Sequence, residues 1–313
     1  MIQMNYIITG HRGIIGSYLK DRLDREGNVC VLKVDQREGF NVLDLIAREL
    51  EVRGKRTDIF FHFAAQCKIN ESIAIPILAH RNNADGAFEV LEFCRRNGIK
   101  KIVVASTSRV LSPEINPYVA SKIYVEKLTE AYRQCYGIDY IIVRPSTVYG
   151  PMFDETSRLI NNFLVAALKN EPLKIFGDSE KTLDFTYIDD FVEGVMLAMN
   201  KGEWNKAYNI SGDSEIRVLS VAQEIIRQTG STSEIIFQEP ERAQPQKVRV
   251  DNSELRKLGY NPKVGIKEGI SKMLSYYHEH PEAWKNYVDK GQKYYNSYSH
   301  PDDSAQHSNS SKL

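Results

Sequence analysis

Tyr118 and Lys122 stand four residues apart in Pro117-Tyr118-Val119-Ala120-Ser121-Lys122, shortly after the run Ser106-Thr107-Ser108. On a helix that spacing puts both side chains on one face. A lysine charge there favours the phenolate of a tyrosine, whose ordinary pKa of about 10 is otherwise too high for a base at neutral pH. The pair can therefore move a proton. Near the N-terminus, Gly10-His11-Arg12-Gly13-Ile14-Ile15-Gly16 follows the apolar Tyr6-Ile7-Ile8. This reads as a strand, a tight turn and a helix from Ile14 to Leu23 whose free N–H groups face a diphosphate. Glycines let backbone and anion approach closely. One part of the chain can hold a dinucleotide, and another can shift a proton while the dinucleotide carries a hydride.

The elements that must position these residues alternate. Val29 to Val34 is a second apolar run ending at Asp35, where a carboxylate can accept hydrogen bonds from an adenosine ribose. Asp44 is placed like a contact to the adenine edge. Phe60 to Phe63 runs into the small residues Ala64-Ala65-Gln66, with His62 read as a satisfied strand histidine, and Lys101 to Ala105 ends at Ser106. Alternating strand and helix through about residue 150 is the pattern of a parallel sheet covered on both faces. Helices at 158–169, 191–200, 218–228 and 265–277, separated by short strands such as Tyr208-Asn209-Ile210, predict a smaller lobe over the cleft. Asp189-Asp190 is placed to cap the second of these helices. The predicted fold is α/β, a Rossmann-type doubly wound parallel sheet with a smaller C-terminal α/β substrate-binding lobe. Residues 1–150 form the dinucleotide half, with later segments returning to it; 151–280 form the lobe; 281–313 form a polar, partly flexible tail. Asp35 would repel the phosphate of NADP and favours NAD, although Arg12 and Arg37 could neutralise that phosphate.

The 313 residues carry 41 basic and 41 acidic side chains, scattered and not striped, which argues against nucleic acid as a partner. No transmembrane run or signal peptide is legible, so no membrane partner is expected and the cytoplasm is the expected location. Cys30, Cys67, Cys94 and Cys135 stand singly in apolar or helical stretches and read as buried free thiols. No histidine cluster has ligand spacing, and no metal is expected.

From Met4 to about His278 the chain resembles the extended short-chain dehydrogenase/reductase family, in particular its nucleotide-sugar branch. The resemblance rests on Gly10-Gly13-Gly16, Asp35, Ala64-Ala65-Gln66, Asn83 followed by Gly86, Thr107, Tyr118 and Lys122. Arg144 to Pro151, Phe176-Gly177-Asp178 and Asp184 to Asp190 add to it. It implies Tyr118 as base toward a sugar hydroxyl, most simply O4, with Thr107 on the same oxygen and Lys122 holding the nicotinamide ribose. It also implies an NAD site of Gly10, Arg12, Gly13, Ile14, Ile15, Gly16, Asp35, Asp44, Ala64, Ala65, Asn83, Tyr118 and Lys122. Ser108, Thr147, Phe185 and Arg242 are the implied substrate contacts.

Members that dehydrate or decarboxylate their sugar resemble a pattern with carboxylates directly after the threonine, whereas this chain has Ser108 and Arg109. The implied activity is that of a nucleotide-sugar 4-epimerase: transient oxidation at C4 with bound NAD and return of the hydride to the opposite face. A 4-dehydrogenase or 4-ketoreductase with net redox change is the alternative, and a non-catalytic NAD(H)-binding regulator stays open. The chain departs from the family in two places. The loop before Tyr118 is short, and Leu183 replaces an arginine that grips the substrate diphosphate, leaving Arg242, Lys181 or Arg249 for that task. Relatives pair the helices here expected at Ile77–Arg96 and Tyr118–Tyr136 into a four-helix bundle, which implies a homodimer.

Overall fold

The computed structural model describes residues 3–152 and 158–285. The chain lays down β1 (Asn5–Thr9), β2 (Val29–Val34), β3 (Ile59–His62), β4 (Lys101–Ala105) and β5 (Asp139–Pro145). It departs into β6 (Thr147–Tyr149), β7 (Leu173–Phe176) and β8 (Thr182–Tyr187), returns with β9 (Lys206–Ile210), and departs again into β10 (Glu215–Arg217) and β11 (Ile235–Gln238). The main sheet is parallel, in the order β2-β1-β3-β4-β5-β9. From β1 the chain crosses outward to β2, then back over β1 to β3. The winding therefore reverses between β1 and β3, and in such sheets ligands bind outside the strand ends at that point.

Strands buried on both faces read as unbroken apolar runs, and neighbouring residues of one strand fall into different cores. Tyr6 and Ile8 pack with the Ile14–Arg25 and Ile188–Lys201 helices, while Ile7 packs with the Gly86–Arg96 and Pro117–Tyr136 helices. The smaller lobe has a three-stranded sheet, β10-β8-β6, and a parallel pair, β11-β7, with the Leu159–Leu168, Val218–Thr229 and Ile266–Glu279 helices.

Several expectations are corrected. Tyr208-Asn209-Ile210 belongs to the main sheet, where β9 pairs with β5, and the Ile188–Lys201 helix packs on the first helix of the sheet, not in the lobe. Asp190 does not cap that helix: its two carboxylate oxygens accept the backbone N–H groups of Lys263 and Val264, each at 2.9 Å. The single helix expected over 77–96 is interrupted by a wide π-helical turn at His80–Asp85. The tail begins later than expected, because Glu282–Lys285 is helical, Ala283 is buried and the Trp284 indole donates to the Tyr277 carbonyl at 3.1 Å. The rest of that tail, 286–313, lies outside the described residues. All four cysteines are free thiols, with Cys94 buried and Cys30 half-buried, but Cys67 and Cys135 are exposed. Among the described residues no helix is long and apolar enough to cross a membrane.

Candidate active site

A cavity of about 710 Å³ opens at the carboxyl ends of the main strands, between sheet and lobe. Its floor on one side is the glycine loop. Gly10 has φ +76°, and a Cβ there would sit 2.5 Å from the Ala64 nitrogen; a Cβ on Gly16 would run into the Gly10 carbonyl oxygen. The loop is thus pressed flat between the end of β3 and the helix that follows. That helix starts at Gly13 with no side-chain cap and no acidic residue in its first turn. The N–H groups of Ile14, Ile15 and Gly16 have no partner within the helix and aim positive dipole ends at whatever binds. At the end of β2 the Asp35 carboxylate accepts from the backbone N–H of Arg12 at 2.9 Å and of Arg37 at 3.0 Å, and still lines the cavity. A cradle of glycines, unpaired helix N–H groups and one carboxylate fits a dinucleotide.

On the other side, Asn116 starts the Pro117–Tyr136 helix by accepting from the Val119 N–H at 3.0 Å, with proline in the first position. This places Tyr118 in the first turn and Lys122 one turn on, both buried and both at the cavity wall. Burial pushes the Tyr118 phenol up to about 12, against the pull of a hydrogen bond with Thr107 and of the nearby Arg158 and Arg109 charges. Burial brings Lys122 down to about 8. The Lys122 ammonium donates to the Ala105 carbonyl at 2.8 Å. The groups that pull Tyr118 down against burial are Thr107, Arg158 and Arg109. His62 is fully enclosed, shares a hydrogen bond of 2.8 Å with the Thr9 hydroxyl, and is driven down to about 3 by burial and by Lys122, so it stays neutral.

The model of the NAD dependent epimerase/dehydratase family matches residues 6–211. The chain belongs to this family. It is 30% identical over 321 residues to a trifunctional UDP-glucose 4,6-dehydratase/UDP-4-keto-6-deoxy-D-glucose 3,5-epimerase/UDP-4-keto-L-rhamnose-reductase of Arabidopsis thaliana, covering 90% of this chain and 48% of that one. It thus spans about half the length of that plant relative. A solved UDP-glucose 4-epimerase of Thermotoga maritima with UDP-glucose is similar at TM-score 0.82 and 27% identity, covering 88% of this chain and 99% of that one. A UDP-glucose 4-epimerase of Thermus thermophilus in complex with NAD is similar at TM-score 0.81 and 25% identity, covering 88% and 100%. The two solved 4-epimerases share the architecture of this chain, and the plant relative carries a different set of activities.

The structure brings Gly10, Gly13, Ile14, Ile15, Gly16, Asp35, Ala64, Ala65, Thr107, Tyr118, Lys122 and Thr147 to the cavity wall. It does not bring seven others there. The Arg12 side chain points outward, 3.8 Å from Glu38, and only its backbone serves Asp35. Asp44 closes a tight turn whose earlier residues Asn41 and Val42 face the cavity in its place. Asn83 is buried behind the wall, binding the Gln66 N–H at 2.8 Å, the Gln66 carbonyl at 3.1 Å and the Ser121 hydroxyl at 2.9 Å. Ser108 is buried beside Thr107 and turned away. Phe185 packs edge-on against Tyr149 with ring centres 6.2 Å apart. Arg242 and Arg249 lie off the wall, although Glu241 and Gln244 reach it.

Cations that sequence reasoning passed over do line the cavity: Arg158 and Lys169, at the two ends of the uncharged stretch Leu159–Leu168. Arg158 stands at a helix N-terminus, where the dipole disfavours a positive charge. That misplaced charge was a readable signal.

Proposed function

We propose that the protein is a nucleotide-sugar 4-epimerase that uses tightly held NAD. The observation that carries this reading is the buried Tyr118 at the cavity wall with Thr107 and Lys122, together with residues at positions 108 and 109 that are not carboxylates. NAD, when bound, supplies a reversible two-electron acceptor for a sugar carbon. The chain supplies the rest. Ile14, Ile15 and Gly16 offer N–H groups to the diphosphate of the dinucleotide, and Asp35 accepts from its adenosine ribose. Tyr118 Oη takes the proton of the sugar O4 hydroxyl and later returns it, while Thr107 Oγ1 holds the same oxygen and stabilises its developing charge. Lys122 Nζ, anchored on the Ala105 carbonyl, contributes its remaining donors to the nicotinamide ribose. With serine and arginine after Thr107, no adjacent acid and base are available for elimination.

In this reading residues 1–150 together with β9 form the dinucleotide half, and the rest of 151–280 forms the substrate lobe. Arg158, Lys169 and Lys181 take over the diphosphate of the substrate from the arginine that Leu183 replaces. The exposed Ile77, Phe88 and Tyr124 on the two long helical segments support a homodimer through those helices. The test is to incubate the purified protein, with no cofactor added, with UDP-, GDP-, CDP- and dTDP-linked hexoses and hexuronates and to read products by proton NMR. A C4 epimer is expected. Activity appearing only on addition of NAD or NADPH would move the assignment to a net dehydrogenase or reductase, and a 4-keto-6-deoxy product to a dehydratase.

A further inference from the structure

Arg109 is a cation at the cavity wall that forms no ion pair among the described residues. Its Nη1 is shielded from solvent and has no hydrogen-bond partner. The two carboxylates whose fields reach it, Glu241 and Glu114, are engaged elsewhere. Glu241 accepts from Asn70 at 3.0 Å and from Lys181 at 3.3 Å, and Glu114 from the Ser112 hydroxyl. A guanidinium nitrogen left buried and unpaired is costly, and the planar fork of an arginine matches a carboxylate. The backbone explains where it points: Thr107 Oγ1 accepts the Arg109 N–H at 3.3 Å, so the short turn that presents Thr107 also fixes the base of the arginine.

We infer that Arg109 binds a carboxylate carried by the sugar ring, and that the preferred substrate is a nucleotide-activated hexuronate rather than a neutral hexose. This rests on the nucleotide-sugar reading above. A diphosphate has its own cations in Arg158, Lys169 and Lys181, all on segments of the second lobe. Arg109 instead comes from the sheet side, two residues beyond the threonine assigned to O4. The C6 carboxylate of a hexuronate is attached to C5, the neighbour of C4, so a residue two positions beyond Thr107 is suited to the adjoining substituent. In a neutral hexose nothing at C6 satisfies the charge.

The test measures binding of UDP-glucuronic acid and UDP-glucose, which differ only at C6, to the Tyr118→Phe protein in saturating NAD, where neither ligand is consumed. Glucuronate is expected to bind about 10- to 100-fold more tightly, the range of a charge-assisted hydrogen bond. Adding Arg109→Met is expected to bring that ratio close to one, and Arg109→Lys to keep part of it. Arg109→Gln, closer in shape, serves if the methionine variant does not fold. Equal affinities, or a preference that survives loss of the arginine, would overturn this inference alone. Binding of neither ligand, nor of the GDP-, CDP- and dTDP-linked glucose and glucuronate pairs, would overturn the nucleotide-sugar reading with it. Turnover that persists in Tyr118→Phe would sink the proposed base while the affinity ratio still reports on Arg109.

Discussion

In the proposed reading two ionisable residues, Tyr118 and Lys122, set the chemistry, and burial pushes both toward their neutral forms. Replacing Tyr118 by phenylalanine keeps the ring in place and removes only the proton carrier. Turnover is expected to fall at least about 100-fold while most dinucleotide binding remains, checked by NMR rates and by NAD titration. The second prediction concerns pH. Lys122 loses its charge as the pH climbs through about 8, whereas the tyrosine becomes a better base in the same direction. The rate should therefore rise, peak and decline above about pH 8; a pH-rate profile still climbing well beyond that point would rule out a role for the lysine charge. The Tyr118–Lys122 pair was legible because it depends only on local helix geometry. Asn83, Phe185 and Arg242 were not, since whether a side chain faces the cavity or the core depends on packing between segments far apart in sequence.

The helix carrying Tyr118 and Lys122 is held against β5 by Arg144, which grips Glu126 through two hydrogen bonds of 2.8 and 2.6 Å. Both partners are largely shielded, with the Glu126 side chain only 7% exposed, so removing one leaves the other uncompensated. Glu126→Ala is expected to cost about 2 kcal/mol or more in denaturant unfolding, with a loss of activity that Glu126→Asp partly restores. Arg144 is thus a positioning residue. Helices with strong apolar periodicity were readable to within a few residues, as at Val218–Thr229 and Ile266–Glu279. The π-helical turn at His80–Asp85 was not. It lies where Asn83 turns inward to hold Gln66 and where Gly86 lets Val42 approach, a Cβ there falling 2.9 Å from the valine side chain. Such a shift leaves no trace in the spacing of apolar residues.

Across the whole molecule, sheet and lobe are joined at Asp184 of β8, whose carboxylate accepts the Gly212 N–H at 3.0 Å just past the end of β9. Burial pushes this carboxyl up to about 6. Because its folded pKa exceeds the unfolded value, the folded chain holds a proton that the unfolded chain has released. Stability is therefore greatest below about pH 4 on this account and falls as the pH rises to about 6. Asp184→Asn cannot titrate and should reduce that stability difference by about 3 kcal/mol in unfolding experiments at the two ends of the window; an unchanged difference would exclude the group. That β9 belongs to the main sheet could not be read from its residues, since parallel pairing joins strands with no local signature of which neighbour they take. The pairing also governs how the protein is made. Residues 146–205 separate β5 from the strand that covers its edge. During synthesis the Ile141-Ile142-Val143 edge therefore waits, uncovered and able to recruit other chains, until Lys206–Ile210 has been translated. A fragment ended at residue 150, however complete its glycine loop and Tyr118, would retain that open edge for good and would aggregate instead of standing as an independent dinucleotide-binding unit.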